Sequence, residues 1–297
     1  MKLLTRREFF KHGSIVLAGG VMASSVGGSQ LFGSTKSTGK EEDILRFIHV
    51  ADTHLDLKMP KTVKWLEMLV DKINNDFSSV DFVLFGGDNF NNNASGKSDA
   101  IIFKKITDNL HCPSYSVRGN KESTPKPEND PLNQGDYAQM FFNSDLKVVG
   151  RDWKLKRGRY TILGIDTTLD QKDNGIFLPE SLSFVENELK ANPSQYHLIL
   201  NHQAYENFWG GTNKKDIHRY VLNNVEEVKV KLFKYSNLIM TLSGHKHLDH
   251  IGKSGDIKVI TTVGFVVPQD PENENDHRFR YIEIRGSQVA EKLVSIL

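Results

Sequence analysis

Short apolar runs, each long enough for one buried strand, recur along the chain from Ile44 onward. Their length and their β-branched and aromatic residues favour strands rather than buried helices. The tail, residues 257–297, alternates and is β-branched, which predicts antiparallel strands with turns near 268–276 and at Gly286-Ser287. The earlier runs that are predicted as strands are 44–51, 80–85, 114–117, 159–165, 197–200 and 238–242.

Amphipathic segments separate these strands. Residues 123–135, by contrast, are polar and proline-rich, which predicts a loop. Alternating strands and helices followed by a strand-rich end predict a layered α/β domain, with two packed sheets flanked by helices. The segments with apolar residues at helical spacing are 61–75, 99–110, 179–190 and a longer one near 216–235.

The first 43 residues do not follow this pattern. A basic start, a glycine-rich apolar run and then small polar residues have the layout of an export signal. The apolar run is shorter than the roughly 20 residues of a membrane span, and no cysteine follows it, so we expect no stable membrane anchor. We predict a signal over 1–33, a polar linker over 34–43 and one domain over 44–297.

Residues 5–11, TRREFFK, resemble the twin-arginine signal pattern. The resemblance implies export of the folded protein by the twin-arginine machinery, and a periplasmic or secreted location. The net charge of +1 indicates no basic surface, so a nucleic-acid partner is not expected. The single cysteine, Cys112, excludes an internal disulfide and a cysteine-based zinc site.

Candidate metal ligands follow five of the predicted strands. Since ligands bind outside the carboxyl ends of strands in open α/β sheets, we expect these side chains to share one edge. Each alone has an ordinary structural explanation, such as a cap or a turn, but their joint occurrence favours a site. Imidazole, carboxylate and amide groups suit zinc, iron or manganese. The candidates are Asp52, His54, Asp88, Asn120, His202, His245 and His247.

Seven ligands exceed the needs of one tetrahedral ion but suit two ions that share a carboxylate. Two ions about 3.5–4 Å apart can clamp the attacking and leaving oxygens of a phosphoryl displacement. They also lower the pKa of a bridging water towards about 7, which supplies hydroxide at neutral pH. The pattern therefore predicts a hydrolase of phosphoesters.

The ordered blocks D-x-H, G-G-D, G-N-x-E, H and G-H-x-H resemble the calcineurin-like metallophosphoesterase family over residues 44–297. The resemblance implies a four-layer α-β-β-α sandwich with two mixed β-sheets. Asn91 stands where purple acid phosphatases have a metal-binding tyrosine, which argues against that branch. The ligand assignment that the resemblance implies is Asp52, His54 and His247 for a first ion, Asn120, His202 and His245 for a second ion, and Asp88 as the bridge.

The third block departs from the family pattern at Lys121, where a histidine usually contacts the phosphate and helps to protonate the leaving group. An ammonium with an unperturbed pKa of about 10.4 is a poor proton donor at pH 7. Lys121 could stabilise charge on substrates with good leaving groups, such as diesters or aryl esters. It could be an acid of depressed pKa, or the protein could bind phosphate compounds with little turnover. We predict Asn120 and Lys121 as catalytic residues.

Substrate contacts are predicted at Asn89, which follows the bridging aspartate, at Lys121, and at Trp209 in an aromatic segment after His202. The expected substrate is a small-molecule phosphoester. Monoester phosphatase, nucleotide phosphodiesterase and nuclease activities remain open within the enzyme class. The lack of a basic stripe and the export signal disfavour a nuclease. A metal-binding, catalytically weak protein that binds phosphate ligands is the alternative outside it.

Overall fold

The computed structural model describes residues 44–93, 97–123, 132–208, 217–266 and 276–297. The predicted signal and linker, residues 1–43, and the predicted contact Trp209 lie outside the described residues. The described part is a mixed α/β fold with two mixed sheets. Among its helices, none is long and apolar enough to cross a membrane.

In the smaller sheet three neighbouring strands pair in parallel, and two further strands are joined to them by antiparallel pairing. Its order is β12-β11-β1-β2-β3. The register pairs Val50 with Phe85, and Phe85 with Ser116, so the three parallel strands end at one edge. The strands are β1 (Ile44–Val50), β2 (Phe82–Phe85), β3 (Ser114–Ser116), β11 (Arg278–Arg285) and β12 (Gln288–Ser295).

The larger sheet has seven strands, in the order β4-β5-β6-β7-β8-β10-β9. Four of them, β6, β7, β8 and β10, run in parallel. The strands are β4 (Lys147–Val149), β5 (Asp152–Arg157), β6 (Tyr160–Gly164), β7 (Tyr196–Leu200), β8 (Leu238–Ser243), β9 (His250–Ser254) and β10 (Ile257–Thr261).

The strand-rich tail differs in part from the predicted antiparallel strands. β10 pairs in parallel with β8 in the larger sheet, whereas β11 and β12 form a hairpin in the smaller sheet. Gly286, at φ 59°, makes the predicted turn of that hairpin. Alternation along a strand specifies which residues share a face, but it does not specify the neighbouring strand.

Two helical segments also differ from the prediction. The polar stretch ends in a helix, because the Asn133 side chain accepts a hydrogen bond from the main-chain nitrogen of Asp136 at 2.9 Å and caps the helix. The long amphipathic segment is divided where Val221 pairs with Ala204. The helices are α1 (Pro60–Asp76), α2 (Ser98–Thr107), α3 (Asn120–Ser123), α4 (Gln134–Phe141), α5 (Pro179–Ala191), α6 (Ile217–Tyr220) and α7 (Val225–Leu232).

Three apolar layers hold the fold together. Leu69 of α1 packs on the outer face of the smaller sheet, and Val185 of α5 packs on the outer face of the larger sheet. Phe47, Leu200 and Ile282 lie between the two sheets. Strands buried on both faces explain the continuous apolar runs of the sequence. The predicted four-layer α-β-β-α sandwich is confirmed.

Candidate metal centre

The seven predicted ligands meet at the edge where the central strands of both sheets end. The loop after β1 is tied to the loop after β2, because the main-chain nitrogen of His54 donates to the carbonyl of Asp88 at 2.9 Å. In the larger sheet, the nitrogen of Gly244 donates to the carbonyl of His202 at 3.0 Å. The main-chain nitrogen of His245 donates to Asp52 Oδ2 at 2.8 Å, which joins the two sheets at this edge.

Three of the ligands form a first group, Asp52, His54 and His247, whose possible ligand atoms all lie within 4.8 Å of one another. His247 Nε2 lies 3.2 Å from Asp52 Oδ1 and 3.1 Å from His54 Nε2. One carboxylate oxygen and two imidazole nitrogens therefore converge on one point.

The second group consists of Asp88, His202 and His245, within the same distance of one another. His202 Nε2 lies 3.3 Å from Asp88 Oδ1 and 3.1 Å from Asn120 Oδ1, so the asparagine belongs to this group as well. The other carboxylate oxygen, Asp88 Oδ2, lies 3.7 Å from His54 Nε2 of the first group. Asp88 thus stands between the groups, as a bridging ligand must.

The backbone at five of the seven ligands is left-handed. Residues other than glycine rarely adopt this backbone conformation, and strain of this kind concentrates at functional sites. The residues and their φ angles are Asp52 (57°), His54 (44°), Asp88 (50°), His245 (67°) and His247 (59°). These residues therefore have a strained backbone conformation that directs their side chains towards the site.

The glycines before the ligands act in two ways. Gly87 has a φ of 89° and makes a sharp turn that favours glycine. Gly119 instead permits a close approach, because a Cβ there would lie 2.2 Å from the main-chain nitrogen of Asp88. This contact brings the loop after β3 against the loop after β2.

Hydrogen bonds outside the ligand groups fix which imidazole nitrogen faces the site. His54 Nδ1 bonds to Asn91 Oδ1 at 2.7 Å, and His202 Nδ1 bonds to the carbonyl of Gly86 at 2.9 Å, which leaves both Nε2 atoms for the site. His245 Nε2 bonds to the carbonyl of Arg219 at 2.7 Å, which leaves its Nδ1. Partners of this kind orient metal-binding histidines and raise their basicity.

Asp56 extends the contacts of His54 and has no predicted role from the sequence. Its Oδ2 accepts hydrogen bonds from Asn91 Nδ2 at 3.1 Å and from Asn93 Nδ2 at 2.8 Å. Asn91, with its nitrogen on Asp56, must present its oxygen to His54. The alternation of Asp52, His54 and Asp56 in the sequence is the signal that could have revealed this residue.

Glu122, the last residue of the third sequence block, joins the loops that carry Asp88 and Asn120. Its carboxylate accepts main-chain hydrogen bonds from Gly119 at 2.7 Å, Asp88 at 3.1 Å and Asn89 at 2.6 Å. Burial, together with the charge of Asp88, raises the pKa of Glu122 to about 7, although the N–H donors favour its ionised form. The residue therefore has a structural role.

The charges of the site suit cations. Burial opposes ionisation of Asp88, but the neighbouring histidines, His202 first, outweigh it and hold the pKa of this carboxyl well below its usual range. Burial lowers the pKa of His54, and it lowers that of His245 to about 4. Burial also acts against the charge of His202, yet Asp88 raises its pKa to about 9. An ion that binds there would displace a proton from His202.

The residues fit two metal ions. Asp52 Oδ1 is buried without a hydrogen-bond partner, although buried polar atoms are normally satisfied. His54 and His247 present two ring nitrogens to that same oxygen, as a shared cation would require. Nitrogen and oxygen donors suit zinc, iron or manganese.

Two further predicted residues, Lys121 and Asn89, lie beside the ligands. Lys121 is half-buried in α3, and its main-chain nitrogen donates to Asp88 Oδ1 at 2.8 Å. Asn89 is buried, and its Nδ2 donates to the carbonyl of Val117 at 3.1 Å and to the Tyr137 hydroxyl at 3.2 Å. The amide nitrogen of Asn89 thus faces the core, and the contact of this residue with substrate stays a prediction.

The family model for calcineurin-like phosphoesterase matches residues 45–249, more than half of the chain. A probable glycerophosphodiester phosphodiesterase, GpdQ, of Arcobacter nitrofigilis is 25% identical over 206 residues, which cover 67% of this chain and 71% of that protein.

Solved structures share the fold at low identity. A dimetal phosphatase from Danio rerio has a TM-score of 0.63 at 14% identity and covers 85% of this chain and 99% of its own. GAP50, the anchor in the inner membrane complex of Plasmodium, has a TM-score of 0.55 at 14% identity and covers 85% of both chains. The chain belongs to the calcineurin-like phosphoesterase family, and it is a metal-dependent hydrolase of phosphoesters.

Proposed function

We propose that this protein is a dinuclear phosphodiesterase that acts on small phosphodiesters with good leaving groups. The observation that carries the proposal is the position of Asp88 between two ligand groups, each of which offers nitrogen and oxygen donors. The similarity to a probable glycerophosphodiester phosphodiesterase makes glycerophosphodiesters, whose alkoxide leaving groups are poorer, the natural class to compare with aryl diesters. Lys121 in place of the usual histidine favours esters that need little protonation of the leaving group.

Each group of the site has a defined task in this reaction. When bound, the ions polarise a phosphoryl oxygen and activate water as the nucleophile. Asp88 holds the two ligand groups at a fixed separation, and Asn120 completes the second group from the start of α3. The ammonium of Lys121 stabilises the negative charge that develops on the phosphoryl oxygens, as a compact charge with three donors.

Metal analysis combined with matched substrates tests the proposal. The protein is reconstituted with manganese, iron or zinc and assayed on bis(p-nitrophenyl) phosphate, p-nitrophenyl phosphate and a glycerophosphodiester. We expect two ions per chain and the fastest turnover for bis(p-nitrophenyl) phosphate, the diester whose leaving group needs no proton. Two ions without turnover would support the alternative, a metal-binding protein that binds phosphate ligands. The observation that favours this alternative is Lys121, because a lysine is a poor general acid. Absence of metal after reconstitution would contradict both.

We also propose that the chain is exported by the twin-arginine route. Support comes from the pattern Thr5 to Lys11, which contains the arginine pair Arg6 and Arg7. Fractionation of cells that produce the full chain should recover it outside the cytoplasm. The double change Arg6→Lys and Arg7→Lys should retain it in the cytoplasm, and an unchanged distribution would contradict this route.

A further inference from the structure

Arg219, in the short helix α6, contacts the second ligand group through its main chain. Its carbonyl oxygen accepts a hydrogen bond from His245 Nε2 at 2.7 Å, across 26 positions of sequence. Because Nε2 is the donor, the lone pair of this ring lies on Nδ1, the atom left for the site. This contact selects the tautomer in which His245 can bind an ion.

The side chain of Arg219 reaches a different ligand of the same group. Its Nη2 lies 2.8 Å from Asp173 Oδ2, and Asp173 Oδ1 accepts a hydrogen bond from Asn120 Nδ2 at 3.2 Å. A carboxylate can only accept, so Asp173 holds the amide nitrogen of Asn120 and turns its Oδ1 towards His202 Nε2, 3.1 Å away. Without Asp173, the amide could present either atom.

The loop that carries Asp173 is attached to the residue after a ligand. Gln203 Nε2 donates to the carbonyl of Asp173 at 3.4 Å, and Thr167 donates to Gln203 Oε1 at 2.5 Å. Gly175 permits this approach, since a Cβ there would lie 2.4 Å from the Gln203 side chain. The main chain of Asp173 is therefore held at a defined position relative to His202.

We propose that Asp173 and Arg219 are positioning residues for the second ion, and that Arg219 acts on two of its ligands, His245 and Asn120. The inference rests on the two-ion site of the proposed function. The side chains of Arg219 and Asp173 are 58% and 40% exposed, and ion pairs of that exposure contribute little to folding. A positioning role can therefore be distinguished from a structural one.

Calorimetric titration of the metal-free full chain with Mn²⁺ alone tests this assignment. The binding step that Asn120→Ala removes identifies the second ion. We expect Asp173→Ala to weaken that step by about 10-fold or more, within the 10–100-fold effect typical of partners of metal ligands. The first step and the thermal midpoint of the metal-free protein should not change. Asp170→Ala, an exposed aspartate of the same loop, is the matched control and should behave as wild type.

Arg219→Ala removes the guanidinium but keeps the carbonyl that bonds to His245. We expect a smaller loss than in Asp173→Ala, and no additional loss in the double variant, because the guanidinium acts through Asp173. Wild-type affinity of Asp173→Ala for the second ion would overturn the assignment. An equal loss of both ions, or a lower thermal midpoint of the metal-free variant, would also overturn it. A wild-type chain that binds no second ion contradicts the proposed function itself, and the inference with it.

Discussion

The main-chain nitrogen of Lys121 donates a 2.8 Å hydrogen bond to Oδ1 of Asp88, the carboxylate that stands between the two ligand groups. This contact belongs to the backbone, so it persists whichever side chain occupies position 121. The close approach at Gly119 fixes the same loop from its other side. The side chain at 121 can therefore change the chemistry of the site while the ligands stay in place.

Lys121→His should restore a general acid at this position. We expect turnover of alkyl phosphodiesters to rise by about 10²-fold, the lower end of what general acid catalysis contributes. Turnover of aryl esters should change little, because their leaving groups need no proton. Steady-state kinetics on both ester types, with metal content measured in parallel, provide the check.

Lys121→Ala is the matched variant for this experiment. If Lys121 stabilises charge on the phosphoryl group, the alanine variant should lose turnover on both ester types. A histidine variant that is no faster, together with an alanine variant that equals wild type, would show that position 121 has no catalytic role.

Removal of the ions should lower thermal stability as well as activity. Five of the ligand residues have a left-handed backbone conformation, which is strained. A bound ion stabilises the folded state that contains this conformation. At a free metal concentration of 100 times the dissociation constant, the gain is about 2.7 kcal/mol for each site. Thermal unfolding with and without a chelator measures the difference, and equal midpoints would argue against a structural coupling of the ions.

Asn91→Ala should weaken binding of the first ion and leave binding of the second ion unchanged. Asn91 connects Asp56 to Nδ1 of His54, so its loss frees the ring of that ligand. We expect the affinity for the first ion to fall by roughly 10–100-fold, the usual effect of removing a partner of a metal ligand. Asn93→Ala is the control, because Asn93 bonds to the same Asp56 oxygen through its side chain. Equal metal affinities of the two variants would remove the role assigned to Asn91.

Asp166→Asn should destabilise the fold in a pH-dependent way. Asp166 lies buried between Arg118, at 2.8 Å, and Arg151, at 2.9 Å. Burial opposes its charge, but the two arginines outweigh it and hold the pKa of Asp166 below its usual range. We expect a loss of about 3–5 kcal/mol in the free energy of unfolding at pH 7, as for other broken buried ion pairs.

The pH dependence of this loss follows from the direction of the pKa shift. A carboxyl whose folded pKa is lowered stabilises the fold above its unfolded pKa of about 3.9 and loses that contribution as pH falls further. The gap between wild type and variant should therefore narrow below about pH 4. Asp145→Asn, at a surface pair with Arg157, should cost at most about 1 kcal/mol. Denaturant unfolding at several pH values measures both variants, and a gap independent of pH would contradict the ion-pair explanation.

The sequence by itself determined the layered fold and the set of candidate ligands. Strands buried on both faces must be continuous apolar runs, so β1, β2, β7 and β8 were visible as such. The polar residues that follow such runs must lie at the sheet edge, which is a local consequence of chain direction. The same reasoning could not assign β10 to the larger sheet, because alternation does not name a neighbouring strand.

Only the tertiary structure decided how the ligands are held. Asp173 lies 53 positions from Asn120, and Asn91 lies 37 positions from His54, so no local pattern joins either pair. Asn89 shows the reverse case, since it follows a ligand directly but turns into the core towards Tyr137. Strand order and sheet packing determine these contacts, whereas the sequence at one position gives only the residue type.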